Sequence, residues 1–411
     1  MLSFIPSQVI RRQATQVLGG RGSIVTKTKV PRAAGVGSQI LTRSLNTESV
    51  HSNLNAAGSG AANSGSSAAD GEGERIKILG ATEDKRVRRS IFYVPGSDER
   101  KLKSSLSLAA DCLVYDLEDG VAFNRKNVAR EMVLDALEAS EHRKAEKAVR
   151  INAVGSGLEF DDLNVVLRSS RLQAIVIPKV QSAKDIQFVS RMVDSVAPFI
   201  TRKNVRIIAS IESALGVMNL KKIATADPRV DALVFAAEDY CADLGLTRTR
   251  EGTEMLFARS AIVTAAHAYG LQAIDLVCMD YKNDEILKEE CEFGRRMGFT
   301  GKQAVHPRQL DIIQSSFLPS AHEIARAADI SEAYQEHSRR GVGAFNYNNK
   351  VIDLPVVKWA EKILSRARQG NVRIPMAEER AEILRQGPTA PIAPLLQKFS
   401  VETSAPSLTG K

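Results

Sequence analysis

Between residues 86 and 319 short apolar runs alternate with longer stretches of helical period. The runs are Ser90–Val94, Cys112–Leu117, Ala148–Ile151, Ala174–Ile177, Val205–Ile211, Ala232–Phe235, Gln272–Val277 and Gln303–Val305. Asn127–Glu138, Ala183–Val196, Glu254–Ala268 and Asp284–Met297 carry apolar residues at helical spacing between them. Runs of four to eight apolar residues separated by such helices predict a parallel sheet with crossover helices. Eight units in about 230 residues fit an α/β fold of the (β/α)8 barrel type, near its usual size of roughly 250. A doubly wound open sheet is the alternative. The barrel is preferred on the count of eight and because no GxGxxG follows the first strand.

The flanks read differently. A helix is expected over Ser320–Gly341, then a Gly/Asn-rich loop, Gly341–Asn349, then a helix over Asp353–Arg368 with Pro355 early, where proline is tolerated. Residues 320–370 are therefore expected to form a helical cap or arm. Residues 371–411 are expected to be a mostly mobile tail, with a helix over Met376–Arg385 and a Pro-, Ser- and Thr-rich end from Gln386.

Charge adds a further segment. The chain of 411 residues carries a net charge of +8. Seven of its 56 basic residues fall in residues 1–47, which hold no acid, so the rest sets 49 basic against 48 acidic residues. A nucleic-acid footprint would need a basic face on the body itself, and none is expected. An Arg-, Ser- and Thr-rich, acid-free leader over residues 1–47 has the composition of a mitochondrial transit peptide. Residues 48–85, rich in Asn, Ala, Gly and Ser, read as a flexible linker. No apolar run reaches the roughly 18 residues of a membrane span, so no membrane partner is expected. Four cysteines without a CxxC pair make neither a disulfide framework nor a structural zinc site.

Polar residues follow nearly every strand: Tyr93, Asp116, Glu118, Asp119, Arg150, Lys179, Glu212, Glu238, Asp239, Asp275 and His306. In a barrel these converge on the C-terminal rim, where active sites lie. Carboxylates such as Glu212 and Asp239, delivered beside an apolar core, need a cation or a raised pKa. Without neighbouring His or Cys they suit a hard cation, Mg2+ above all. The alternative is a structural ion pair with Arg150 or Lys179. Arg150, inside an apolar strand, needs an anionic partner, either a protein carboxylate or a substrate. His306 is as well placed to cap a helix as to catalyse. Lys179 is a formal Schiff-base candidate. Gly298-Phe299-Thr300-Gly301 is a weak candidate for anion binding through backbone N–H groups. Arg100, Lys101 and Lys103 lie early in a helix, where the dipole disfavours cations, which suits an anionic ligand or simply a solvated face.

Taken in order, several strings resemble the citrate lyase β-subunit and malyl-CoA lyase family of metal-dependent (β/α)8 lyases. They are Arg88-Arg89-Ser90-Ile91-Phe92-Tyr93-Val94-Pro95-Gly96, Asp116-Leu117-Glu118-Asp119-Gly120-Val121, Ile177-Pro178-Lys179-Val180, Ile211-Glu212-Ser213-Ala214, Glu238-Asp239-Tyr240 and Gly298 through His306-Pro307. The resemblance runs from about Arg88 to Lys362. It implies an Mg2+-dependent carbon–carbon lyase that cleaves citramalyl-CoA to acetyl-CoA and pyruvate, with a malate-synthase-like side activity. Malyl-CoA or citryl-CoA cleavage, or a non-catalytic scaffold subunit, are the alternatives. It further implies Glu212 and Asp239 as metal ligands, and Arg150 as the group facing the carbonyl or enolate oxygen. Tyr93, Arg100 and Lys103 would line the acyl-CoA site. Ile352 and Asp353 would reach a neighbouring subunit's site, with Asp353 as catalytic acid/base. Ser104 stands where relatives have a second CoA-contacting lysine, and Ala236-Ala237 replaces a glycine pair. The implied partners are an acyl-CoA thioester, a 2-oxo acid and further copies of the chain, as a homotrimer in the mitochondrial matrix.

Overall fold

A computed structural model describes residues 86–139, 145–341, 343–347 and 350–397. The leader and linker expected over residues 1–85, and the tail beyond residue 397, lie outside the described residues.

Eight parallel strands close into a barrel in sequential order, β1 to β8, with β1 hydrogen-bonded to β8. They are β1 Ser90–Pro95, β2 Cys112–Asp116, β3 Glu146–Arg150, β4 Ala174–Ile177, β5 Arg206–Ile211, β6 Val230–Phe235, β7 Gln272–Asp275 and β8 Gly301–Ala304. The helices between and after them are α1 Glu99–Ser105, α2 Lys126–Glu138, α3 Glu159–Val166, α4 Ala183–Val196, α5 Phe199–Asn204, α6 Ala214–Met218, α7 Leu220–Ala224, α8 Ala237–Leu244, α9 Leu256–Ala268, α10 Asp284–Met297 and α11 Gln309–Ser316. The (β/α)8 expectation and all eight strands are thus met, with ends shifted by a few residues. The helix expected over Glu254–Ala268 opens as a separate 3-10 turn, Thr253–Met255, before α9.

Strand residues divide by parity, because successive side chains point to opposite faces. Ile91, Cys112, Val114, Ala148, Ala174, Val176, Ile208, Ala232, Val234 and Ile274 fill the barrel interior. Their neighbours Phe92, Leu113, Val149, Ile175, Ile207, Leu233 and Ala273 pack outward in the larger core shared with the helices. Burial on both faces explains why the strands read as continuous apolar runs.

The N-terminal mouth is closed by charge. Arg88, just before β1, is 1% exposed. Its guanidinium bonds both carboxylate oxygens of Glu146 and both of Asp231, the latter at 2.8 and 3.1 Å. Arg86 Nη1 joins Glu146 Oε1 at 2.7 Å. Arg88→Met removes the cation that, among the described residues, bonds both acids, and leaves Glu146 to Arg86 alone and Asp231 without its ion-pair partner. It should lower stability by about 3–5 kcal/mol, read as a lower midpoint in urea unfolding followed by circular dichroism. An unchanged midpoint would mean the mouth carries no such energy.

A second apolar core lies beyond the barrel. It is built by α12 Ala321–Arg339, a hairpin of β9 Phe345–Tyr347 and β10 Lys350–Ile352, α13 Leu354–Gln369 and α14 Ala377–Gln386. Two expectations change here. The Gly/Asn-rich loop contains the hairpin, because Phe345 pairs with Ile352 and both are buried; the His337 ring stacks on Phe345 at 3.9 Å. The segment from Gln386, expected to be mobile, packs as far as Gln397. Leu395 is 2% exposed, Val372 bridges Leu396, and Arg380 of α14 bonds Asp329 and Glu332 of α12. Ala390 and Leu395 are buried, and backbone bonds from Arg373 to Leu395 and from Gln397 to Asn371 tie down a stretch whose composition alone reads as loose.

Candidate active site at the C-terminal mouth

Parity selects the side chains that enter the mouth. Tyr93, Asp116 and Arg150 continue the inward sets of β1, β2 and β3, and Glu212 follows β5 in the same phase as Ile208. Asp239 arrives from the first turn of α8.

Arg150 is the centre of the arrangement. Its Nε and Nη2 donate to Asp116 Oδ1 and Oδ2, both at 2.7 Å, and its guanidinium lies 5.1 Å from the Tyr93 ring centroid. Nη1 stands 2.9 Å from Glu118 Oε2, close enough to pair electrostatically but outside hydrogen-bond geometry, so that this buried oxygen lacks a hydrogen-bond partner. Burial works against the charge on Arg150, but Asp116 and Glu118 outweigh it and hold the group protonated. Both readings of this arginine meet here: it is locked by carboxylate and still reaches the mouth. Asp116 is itself fixed by the backbone N–H groups of Glu118 and Gly120, each at 2.9 Å. A Cβ at Gly120 would stand 2.4 Å from Asp116 Oδ2, so any side chain there would have to displace that carboxylate.

Glu212 is 4% exposed. Burial raises its pKa to about 7, helped by the negative charges of Glu118 and Asp239, while the Ser210 hydroxyl and the Lys179 backbone N–H oppose the rise. Glu118 is also raised by burial, against Arg150 and Lys179. Lys179 Nζ bonds Glu118 Oε1 at 2.7 Å and approaches Asp119 Oδ2 at 3.4 Å. Burial acts against its charge, but Glu118, Asp119 and Asp239 hold the ammonium above its usual range. An engaged ammonium of this kind is a poor Schiff-base nucleophile, which needs the free amine.

The donor set fits a hard divalent cation. Glu212 is pushed toward protonation by burial and by the negative charges of Glu118 and Asp239, and Glu118 has an orphaned buried oxygen. Among the described residues no three His, Cys, Asp or Glu side chains form a ready-made metal cage; Mg2+ uses one or two carboxylates and takes the remainder from water and substrate.

Other expected rim residues go elsewhere. Asp275 shares the outward phase of Ala273; it is fully buried against Arg259, with Nη2 to Oδ2 at 2.6 Å, and takes no part in the mouth. Glu238 pairs with Arg248. His306 stacks on Tyr281 at 4.9 Å, and its Nδ1 accepts the Arg308 backbone N–H at 3.3 Å. Gly298 is the left-handed cap of α10 and Gly301 packs on the Arg88 and Arg89 backbone, so that string serves the opposite end of the barrel rather than an anion. On α1 the helix is only seven residues long, and Lys103 falls in its last turn, where a cation is favoured. Lys103 bonds Glu99 at 2.6 Å, whereas Arg100 is exposed and has no ion pair among the described residues. Ile352 is buried in the second core. Asp353 caps α13, accepting the Val356 N–H at 3.3 Å, and among the described residues no hydrogen bond or ion pair joins it to Arg150, Glu212 or Asp239.

One cluster escapes sequence reasoning. Lys126 Nζ donates to the carbonyls of Leu117 and Glu118 and to Asn152 Oδ1, at 2.6, 2.7 and 2.7 Å. Asn152 also holds Leu117 O and Asp162. These buried groups aim the loop that carries Glu118. The available signal was a lysine at the first position of α2, where the dipole disfavours it.

Known proteins share this chain's features. Residues 89–307 match the family described as HpcH/HpaI aldolase/citrate lyase. The mitochondrial citramalyl-CoA lyase of Homo sapiens is 39% identical over 290 residues, 68% of this chain and 85% of that protein. The citrate lyase subunit beta of Escherichia coli (strain K12) is 35% identical over 290 residues, 70% of this chain and 96% of that one. Among solved structures, CitE from Mycobacterium tuberculosis in complex with magnesium, acetoacetate and coenzyme A matches with a TM-score of 0.58 and 28% identity, covering 69% of this chain and 98% of that one.

Proposed function

Because the chain belongs to the HpcH/HpaI aldolase/citrate lyase family, we propose that it is an Mg2+-dependent lyase cleaving citramalyl-CoA to acetyl-CoA and pyruvate. The observation that carries the reading is the buried Glu212 carboxylate set against Asp239 beside the Arg150–Asp116 pair. Glu212 and Asp239 would hold the cation, which when bound supplies a Lewis acid for the oxygens of the 2-hydroxy acid.

The remaining work falls to side chains. The substrate hydroxyl passes its proton to water at the mouth, the bond between C2 and C3 breaks to leave the C2 carbonyl of pyruvate, and the electrons of that bond pass to the thioester carbonyl as an enolate. Asp116 takes two of Arg150's five N–H groups and Nη1 pairs electrostatically with Glu118; the N–H groups not bonded to Asp116 would stabilise the charge on that oxygen. Tyr93, packed on the guanidinium, fixes its plane. Asp353 of a neighbouring copy would deliver the proton to the enolate carbon, completing acetyl-CoA. Arg100 and Lys103 would meet the phosphates of the CoA moiety, and Ile352, buried in the second core, would anchor the segment that carries Asp353 to the site. We assign the assembly as a homotrimer in the mitochondrial matrix, with residues 1–47 as the transit peptide. The mitochondrial relatives support the compartment.

The likeness to a citrate lyase subunit favours a citryl thioester as the second reading. Keto acids differing by a methyl or hydrogen are separated by only about 1–3 kcal/mol in a pocket, so the assay must compare them directly. Full-length protein is given citramalyl-CoA, malyl-CoA and citryl-CoA, with Mg2+ or EDTA, and acetyl-CoA release is followed. Fastest Mg2+-dependent cleavage of citramalyl-CoA is expected. Preference for citryl-CoA selects the second reading. No cleavage by folded, Mg2+-binding protein would point to a different acyl-CoA or a missing partner, and failure to bind Mg2+ as well would leave a scaffold subunit.

A further inference from the structure

Lys179 is one of two non-glycine residues among those described with positive φ, at 51°. A side chain with a Cβ rarely adopts that conformation, and such residues concentrate where the surrounding structure imposes them. Its consequences are local. The side chain turns back across the mouth to Glu118 Oε1 at 2.7 Å and Asp119 Oδ2 at 3.4 Å, while the Lys179 backbone opposes the rise in the Glu212 pKa. The Asp239 charge also acts on its ammonium. One residue thereby touches or senses acids delivered by β2, β5 and β6. Its side chain is 40% exposed, so the ammonium is not locked in the core.

We infer that Lys179 is a positioning residue that serves as a tethered counter-ion of the acid cluster and thereby sets its affinity for a divalent cation. The inference rests on Glu212 and Asp239 being the cation's ligands. In this arrangement the ammonium neutralises part of the negative charge that would attract a metal ion. Metal and ammonium therefore repel one another across the same carboxylates. Glu118 works in the opposite direction: it engages the ammonium on the β2 side at 2.7 Å and adds its own negative charge to the cluster.

The test is calorimetric titration of Mg2+ into the full-length protein without substrate. Lys179→Met keeps the chain length and removes the charge; it should tighten the Mg2+ Kd by about tenfold. Lys179→Arg keeps the charge and should stay within about threefold of the parent. Glu118→Gln should weaken the Kd by about tenfold. Glu212→Gln should abolish the binding heat. A Lys179→Met Kd that is unchanged or weaker, with Glu212→Gln inactive in binding, overturns the inference and leaves the ligand assignment standing. Lys179→Arg behaving like Lys179→Met also overturns it, because only the charge is asked to act. Binding retained by Glu212→Gln overturns the ligand assignment and the inference with it. Should Lys179→Met fail to fold, as judged by circular dichroism, the Glu118→Gln result decides: an unweakened Kd there overturns the inference.

Discussion

Glu212→Gln is expected to lower turnover at least about a thousandfold in saturating Mg2+ while making the metal-free protein more stable at pH 8. The two effects share one cause. In the metal-free fold the Glu212 pKa is raised from 4.5 to about 7 by burial and by Glu118 and Asp239. Between those values the folded chain holds a proton that the unfolded chain has released, so stability falls as pH rises from about 4.5 to about 7. Above pH 7 the carboxylate is ionised and uncompensated, and glutamine, which never ionises, escapes that penalty. In EDTA, Tm of Glu212→Gln should therefore exceed that of the parent at pH 8, with the gap closing toward pH 5. Added Mg2+ should raise Tm of the parent at pH 8 and leave the variant unmoved. The same linkage makes Mg2+ affinity weaken as pH falls below 7, because the cation must displace a proton. A variant that keeps near-parental turnover would remove Glu212 from the site.

Asp353→Ala is expected to cost about a thousandfold in turnover with the Mg2+ Kd unchanged. The informative measurement mixes it with Glu212→Gln. Within one chain Asp353 caps a helix of the second core, and among the described residues no bond ties it to the barrel mouth. If it completes the site of another copy, then co-refolded or co-expressed mixtures of the two nearly inactive variants contain sites with Glu212 from one chain and Asp353 from another. Activity should return to a sizeable fraction of the parental rate. Mixtures that stay as inactive as their components would place Asp353 outside any shared site. Loss of the cap hydrogen bond to Val356 also carries a stability cost of about 1 kcal/mol, separable by Asp353→Asn, which keeps the cap and removes the acid.

The barrel was legible because its strands are buried on both faces and so stand out as uninterrupted apolar runs. The four residues Ala174–Ile177 were located to the residue. What the runs do not carry is phase. Asp275 ends β7 as visibly as Asp116 ends β2, yet it faces Arg259 because closure of the barrel puts Ala273 and Asp275 outside. Arg88 was legible only as part of a string. Its partners Glu146 and Asp231 lie 58 and 143 residues away, a separation that local pattern cannot register. Lys126 hid for a similar reason, since its three acceptors include two backbone carbonyls, which have no sequence signature. The β9–β10 hairpin was obscured by its glycines and asparagines. Strands of three residues are too short to show alternation, and this one is held by a single buried pair, Phe345 with Ile352.

The shared inward phase of Tyr93, Asp116, Arg150 and Glu212 bears on how this chain can tolerate changes of length. These residues reach the mouth only because each strand is counted correctly from its buried start. One residue inserted or deleted within β1, β2, β3 or β5 would rotate every later side chain of that strand to the other face. Apolar helix contacts would then point into the barrel and the functional group would point into the helix layer. Length variation in this lineage is therefore expected in the loops after the strands and in the segments outside the barrel, while the strand interiors keep their residue count even where their residue types drift.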